Sequence, residues 1–258
     1  MKVILLRAGA KSKKKVNIFY LFILIILICV FIFLMYKILK WLYATNKTKK
    51  VTSDIINQVI QNPIDQTSNS QDLEIDFNKL IKLNSQVVGW IKVENTDINY
   101  PILKSNDNDY YLHYDFFNQV SQNGWIFMDY RNNSNFEDSN TVIFGHNIKS
   151  GIMFSDLKKI YNGSIDKSSK ILIYTKSSEV LKYQIYSTYM ESPDELSISP
   201  YITSNEYEKF SEEMKSRSKY NYNVNVDKNK SRTITLSTCD STGEKRILVH
   251  AILSEKSK

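Results

Sequence analysis

Three residues suited to acyl transfer stand at the ends of strand-like runs. Cys239 closes Thr233-Ile-Thr-Leu-Ser-Thr-Cys239, His146 follows Thr141-Val-Ile-Phe-Gly, and Arg246 opens Arg246-Ile-Leu-Val-His-Ala-Ile-Leu253. Cys239 is the only cysteine outside an N-terminal apolar segment. A thiolate is a strong nucleophile, but a free thiol ionises at about pH 8.5, so only a few per cent is thiolate at neutral pH. A neighbouring cation raises that fraction. An imidazole can protonate a leaving amine and then deprotonate an incoming one. A guanidinium stays charged, so it carries no proton but can hold a carbonyl oxygen or a developing oxyanion.

The elements around these residues position them. Strand side chains alternate, so Ile234 and Leu236 share one face while Thr235, Ser237 and Cys239 share the other. The apolar face is expected in the core, which leaves the thiol on a polar face open to substrate. The polar stretch from Asp240 to Lys245 contains Gly243 and reads as a hairpin loop. Such a hairpin brings Cys239 beside Arg246. On spacing alone an inert reading also stands, with Cys239 as a small buried hydrophobe and Gly145-His146 as a turn.

The wording of these segments goes further. Thr235-Leu-Ser-Thr-Cys239 followed by Lys245-Arg-Ile-Leu-Val resembles the active-site strand pair of sortases, most closely those of class B. Phe144-Gly-His-Asn147 followed by Gly151-Ile-Met-Phe154 is similar to the histidine segment of that class. Val88-Gly-Trp-Ile91, Asn99-Tyr-Pro101 and Gly124-Trp-Ile-Phe-Met-Asp129 resemble its earlier segments, in the family's order. The resemblance covers about Leu73 to Leu253. It implies a mainly β fold: a closed β-barrel with an N-terminal helix and a helix inserted before the cysteine strand. It implies a membrane-anchored cysteine transpeptidase that cleaves a C-terminal sorting signal and joins the new carboxyl end to a cell-wall amine. Cys239 would be the nucleophile, His146 the acid and base, and Arg246 the oxyanion or carbonyl ligand. Leu112, Tyr201 and Ile202 would pack the apolar or proline positions of the signal, and Asn108, Ser197 and Ser237 would hydrogen-bond its polar ones. Class B signals carry Pro near their start and Thr at the cleaved bond. The partners implied are signal-bearing surface proteins and a peptidoglycan cross-bridge or precursor amine. No cofactor and no metal are implied.

Charge placement points to a membrane rather than to nucleic acid. The chain has a formal charge of +7, but residues 1–50 hold eleven Lys or Arg and no Asp or Glu. The remainder, with 23 basic and 27 acidic residues, is net −4. A nucleic-acid-binding domain carries its positive charge on the folded part; here it flanks an apolar run, where anionic headgroups attract it. Ile18 to Tyr36 is uninterruptedly apolar or aromatic, close to the length needed to cross about 30 Å of hydrocarbon. A cleaved signal peptide would have a shorter apolar stretch and a small-residue cleavage site. The run here continues into Lys37-Ile-Leu-Lys-Trp-Leu-Tyr43, with Trp41 and Tyr43 suited to the interface. Basic residues flank the span on both sides, so orientation rests on the family resemblance: N-terminus cytoplasmic, catalytic domain extracellular.

The expected organisation is a basic tail over 1–15, an anchor over 16–36, a juxtamembrane stalk over 37–72, and a catalytic domain over 73–258. The stalk is rich in Asn, Gln, Ser, Thr and Lys, with some helical character around Asp54–Ile60. Asp76–Leu83 fits a short amphipathic helix. Short strand-like runs follow at close spacing, as in a barrel or sandwich. Thr203-Ser-Asn-Glu206 is a capping-box pattern that opens a helix with Tyr207, Phe210 and Met214 on one face, a stripe expected to be core. Of the other histidines, His113 lies among aromatics. His250 lies four residues into the last strand, about 13 Å from Arg246. Two other functions fit the same residues: a membrane-tethered binding domain that has lost activity, and a cell-wall cysteine peptidase that hydrolyses the shared thioacyl intermediate.

Overall fold

The computed structural model describes residues 17–61, 73–192, 199–226, 232–239 and 244–257; for Ser204 and Cys239 it describes the backbone alone. Among the described residues, eight strands carry the fold: β1 (Val87–Val93), β2 (Asn99–Leu103), β3 (Phe127–Met128), β4 (Asn140–Phe144), β5 (Lys170–Thr175), β6 (Val180–Glu191), β7 (Thr233–Cys239) and β8 (Arg246–Ser257). They close in the order β1-β2-β3-β4-β7-β8-β6-β5, with β1 pairing both β2 and β5. Closure removes the exposed edges that an open sheet would present to other chains. The expected mainly β, closed-barrel architecture is what the chain adopts.

Among the described residues, five helices accompany the barrel: α1 (Ile18–Val59), α2 (Phe77–Leu83), α3 (Tyr110–His113), α4 (Leu157–Tyr161) and α5 (Ser204–Arg217). Asp76 caps α2 by accepting from the Lys79 amide at 3.0 Å. The box expected at the start of α5 forms: the Thr203 amide and hydroxyl both donate to Glu206 Oε2. Tyr207 and Met214 on that helix are buried, with Phe210 packed beside them.

The main core gathers Trp90, Ile91, Ile143, Ile234, Leu236, Ile247 and Val249 among others. A second apolar cluster joins Val142, Tyr186, Tyr189, Leu248 and Ile252 of the strands to Met214 and Phe210 of α5. The outer surface of the β4–β7–β8–β6 region is therefore also covered. This corrects one expectation. The polar face of β7 is not open along its length: Thr233 and Thr235 are fully buried and Ser237 is 2% exposed. Parity assigned these residues to the second face correctly, but α5 lies across that face. Thr233 bonds the Tyr207 hydroxyl at 2.6 Å, and Thr235 donates to Asn140 Oδ1 at 2.7 Å.

The chain divides into two compact units, Met1–Tyr43 and Ala44–Lys258. In the first, every side chain from Ile18 to Tyr43 is exposed, although the run is almost wholly apolar. A helix satisfies its own backbone, and such side chains are stable only out of water, so the segment is long and apolar enough to cross a membrane. In the second unit, the expectation of a stalk differs from what forms. Residues 44–59 continue α1 and pack on the domain, burying Thr45, Thr48, Ile55 and Val59. Asn123 donates to the Ala44 carbonyl and to Thr48 Oγ1. Lys47 reaches Gln119 Oε1 at 2.8 Å and Asp115 at 3.6 Å. The Asp76 amide bonds the Val59 carbonyl, and Ile60 bridges to Ile75. Residues 62–72 and 1–16 lie outside the described residues.

Candidate active site

Strand order brings the three chemistry-bearing positions to one end of the barrel. β4 and β7 are parallel, and their last pair is Phe144 with Ser237. His146 and Cys239 each lie two residues beyond that pair. The Gly145 amide donates to the Ser237 carbonyl at 3.2 Å, which keeps the two chains together past the ladder. β7 then pairs antiparallel with β8, and Cys239 stands opposite Arg246. Opposed residues in such a pair have Cα atoms about 4.5–5.5 Å apart and side chains on the same face. The loop from Asp240 to Gly243 lies outside the described residues, but its two ends are where a hairpin requires them.

On its other side Arg246 pairs with Glu191 of β6. Glu191, Arg246 and Cys239 thus form one row across three strands. Glu191 is buried, and its carboxylate takes an ion pair from Arg217 Nη1 of α5 at 3.3 Å. Arg217 also stacks on the Tyr189 ring at 4.4 Å. This fixed ion pair anchors the β6 end of the row while the half-buried Arg246 adjoins the cysteine position.

His146 is half-buried at the mouth of the site. Its Nε2 lies 2.9 Å from the Leu112 carbonyl oxygen. Its own carbonyl accepts from the Phe154 amide at 2.9 Å, which ties the loop after β4 back on itself. The competing histidines have other surroundings. His113 is exposed and sits 3.5 Å from Asp109. His250 is fully buried between Thr235, at 2.9 Å, and the Tyr189 hydroxyl, at 3.2 Å. Burial, with a smaller contribution from the Arg217 charge, pulls its pKa down to about 3. It is neutral at physiological pH and out of reach of solvent.

The expected groove residues fall into two groups. Asn108 and Leu112 are half-buried on the segment around α3. Asn108 Oδ1 accepts from the Tyr130 amide at 2.9 Å. Next to it lies Asp129, which is buried and held in a two-pronged contact by Arg131 at 2.9 and 2.7 Å. Burial alone would raise the Asp129 pKa; the Arg131 side chain and amide outweigh it and hold the carboxylate below its usual range. Tyr201 is 70% exposed and Ile202 half-buried, so Tyr201 is no core residue. Ser237 does not fit so simply: it is 2% exposed, and its backbone carbonyl is what the Gly145 amide uses. Ser197 lies outside the described residues.

Two contributors carried no sequence signal of their own. Asn140 at the start of β4 is buried, donates to the Ser199 carbonyl at 2.9 Å and accepts from Thr235, so it pins the segment before α5 to the strands. The Leu112 backbone carbonyl holds His146, a role no side-chain motif reports.

Residues 91–254 match the family model of the Sortase domain. The chain is 35% identical to Sortase B of Listeria monocytogenes over 207 residues, covering 80% of this chain and 83% of that protein. It is 31% identical to Sortase B of Staphylococcus aureus, covering 84% and 88%. Among solved structures, a Bacillus anthracis protein described as similar to sortase B superposes with a TM-score of 0.71 at 33% identity, covering 83% of this chain and 98% of that one. A Staphylococcus aureus sortase B–substrate complex superposes with a TM-score of 0.61 at 33% identity, covering 69% and 84%.

Proposed function

The chain belongs to the sortases of class B, cysteine transpeptidases, and we propose that it cleaves a Pro- and Thr-containing sorting signal after the Thr and transfers the acyl group to a cell-wall amine. The observation that carries this reading is the meeting of His146, Cys239 and Arg246 at one barrel end through the β4–β7–β8 register. The steps follow from the residue types. The Cys239 thiol proton passes to His146, leaving a thiolate and an imidazolium. The thiolate attacks the Thr carbonyl carbon, and Arg246 faces the developing oxyanion. The C–N bond then breaks and the imidazolium proton goes to the leaving amine, which leaves a thioester on Cys239. An incoming amine gives its proton back to His146, attacks the thioester, and releases the thiolate with a new amide bond.

The groove walls support the recognition half of this reading. Exposed Tyr201 and half-buried Ile202 and Leu112 offer apolar surface to a proline-bearing segment, and Asn108 offers an amide already fixed by the Tyr130 backbone. The apolar part of α1 would anchor the protein in the cell membrane, with the N-terminus cytoplasmic and the barrel outside, where signal-bearing surface proteins and a peptidoglycan amine are found. A peptide-library cleavage assay with mass detection of the cut site tests the specificity. A cut at another bond, or indifference to Thr, would overturn the signal assignment. Running it with and without added amine separates transfer from hydrolysis by product mass.

A further inference from the structure

The hydrogen bond between His146 Nε2 and the Leu112 carbonyl constrains the imidazole chemically. A carbonyl oxygen has no proton to give, so at 2.9 Å the ring nitrogen must be the donor. In the neutral ring the other nitrogen, Nδ1, is then the acceptor. Gly124 bears on the same contact. It has φ +53°, and a Cβ placed on it would lie 2.5 Å from the Tyr111 carbonyl oxygen, 2.9 Å from that of Leu112 and 2.9 Å from His146 Cδ2. Cδ2 is bonded to Nε2, so a methyl group there would press on the ring edge that faces Leu112. The clash partners are backbone oxygens and a held ring. They are fixed further by the Trp125 amide, which donates to the Tyr111 carbonyl at 2.8 Å.

We propose that His146 is held as its Nε2-protonated tautomer by the Leu112 carbonyl and works through Nδ1, and that Gly124 is the positioning residue that leaves room for this arrangement. The proposal rests on His146 being the acid and base of the transfer. Because Leu112 also stands among the groove residues, its carbonyl ties the wall that meets the signal to the proton-carrying ring. Nδ1 receives the thiol proton and delivers it to the leaving amine, while the other proton stays on Nε2, donated to the Leu112 carbonyl, throughout.

The test uses the full chain in detergent micelles with ¹⁵N-labelled histidine. Imidazole nitrogen spectra are recorded at about pH 8, above the ordinary histidine pKa of about 6.5. His146→Gln identifies the signal. Gly151 supplies the control: its φ is +83°, but a Cβ there meets nothing within 4 Å. Gly151→Ala therefore carries left-handed backbone strain without touching the ring. The expected result is an Nε2-protonated His146 in the wild type and in Gly151→Ala. In Gly124→Ala the signature changes to the other tautomer or a mixture, with kcat on a Thr-containing peptide down about tenfold or more and KM nearly unchanged. A wild-type proton on Nδ1 overturns the proposal, as does a Gly124→Ala chain that keeps both the Nε2-protonated signature and its kcat. A Gly124→Ala chain that fails to fold, while Gly151→Ala folds, makes Gly124 a structural residue and removes its positioning role; the wild-type spectrum still decides the tautomer. The spectrum needs no turnover, so full activity in His146→Ala would sink the functional assignment separately.

Discussion

Cys239 and Arg246 are directly opposed as the first pair of the β7–β8 ladder at the site end of the barrel. In the proposed mechanism a cation at this register would favour the thiolate and face the oxyanion formed on attack. Cys239→Ala is expected to abolish cleavage of a signal peptide with no loss of melting temperature. Arg246→Ala is expected to lower kcat/KM by about 10²–10³, the usual cost of one preorganised oxyanion donor. Arg246→Lys should recover only part of this, since an ammonium lacks the planar fork. Wild-type turnover in a folded Cys239→Ala chain would end the thioacyl mechanism.

His250 should matter for stability and not for chemistry. Its folded-state pKa is about 3, against an ordinary value near 6.5. The unfolded chain therefore takes up a proton that the folded chain refuses. Stability conferred by the neutral ring is fully present above about pH 6.5 and is lost as pH falls toward the folded pKa. Melting temperature should fall over that window, and His250→Gln should flatten its pH dependence. A wild-type melting curve as steep as that of His250→Gln across the same range would contradict this. Turnover at neutral pH in a folded His250→Gln chain should stay within a few-fold of wild type, whereas His146→Ala should lose it.

Tyr201 and Tyr207 are six residues apart and should respond in opposite ways. Tyr201 is 70% exposed, so Tyr201→Ala is expected to lower kcat/KM while stability changes by about 0.5 kcal/mol or less. Tyr207 is fully buried and bonds Thr233, so Tyr207→Ala should cost about 3–5 kcal/mol. Paired peptide kinetics and thermal melts separate the two; a large stability loss in Tyr201→Ala would return that residue to the core.

The end of α1 should behave as part of the catalytic unit. Ile55 is fully buried in the main core, so Ile55→Ala is expected to destabilise by about 2–5 kcal/mol. A soluble fragment starting at Ala44 should melt well above one starting at Leu73, which lacks Ile55, Val59 and the Thr48–Asn123 bond. Equal melting temperatures for the two fragments would show that this packing adds no stability.

Much of this molecule was legible one residue at a time. Alternation in Thr233–Cys239 separated Ile234 and Leu236 from the threonines, because the pleat has a period of two. The Thr203–Glu206 spacing announced the start of α5, because capping is local. The apolar run from Ile18 needed no partner to be recognised as a membrane-crossing length. Gly243 and its polar neighbours implied the hairpin that pairs Cys239 with Arg246.

What covers a face and which strands adjoin depend on contacts far apart in the chain, and only the tertiary structure decided them. Nothing local says that β4 runs parallel to β7, yet that register alone brings His146 level with Cys239 across more than ninety residues of sequence. Nothing local says that α5 closes over Thr235 and His250, which turned a face expected to be open into a second core. The same holds for residues 44–59, whose polar composition suggested a stalk while Ile55 and Val59 were buried by the domain. The Leu112 carbonyl that holds His146 is a backbone atom, identical in every residue type, so no side-chain pattern could have disclosed it.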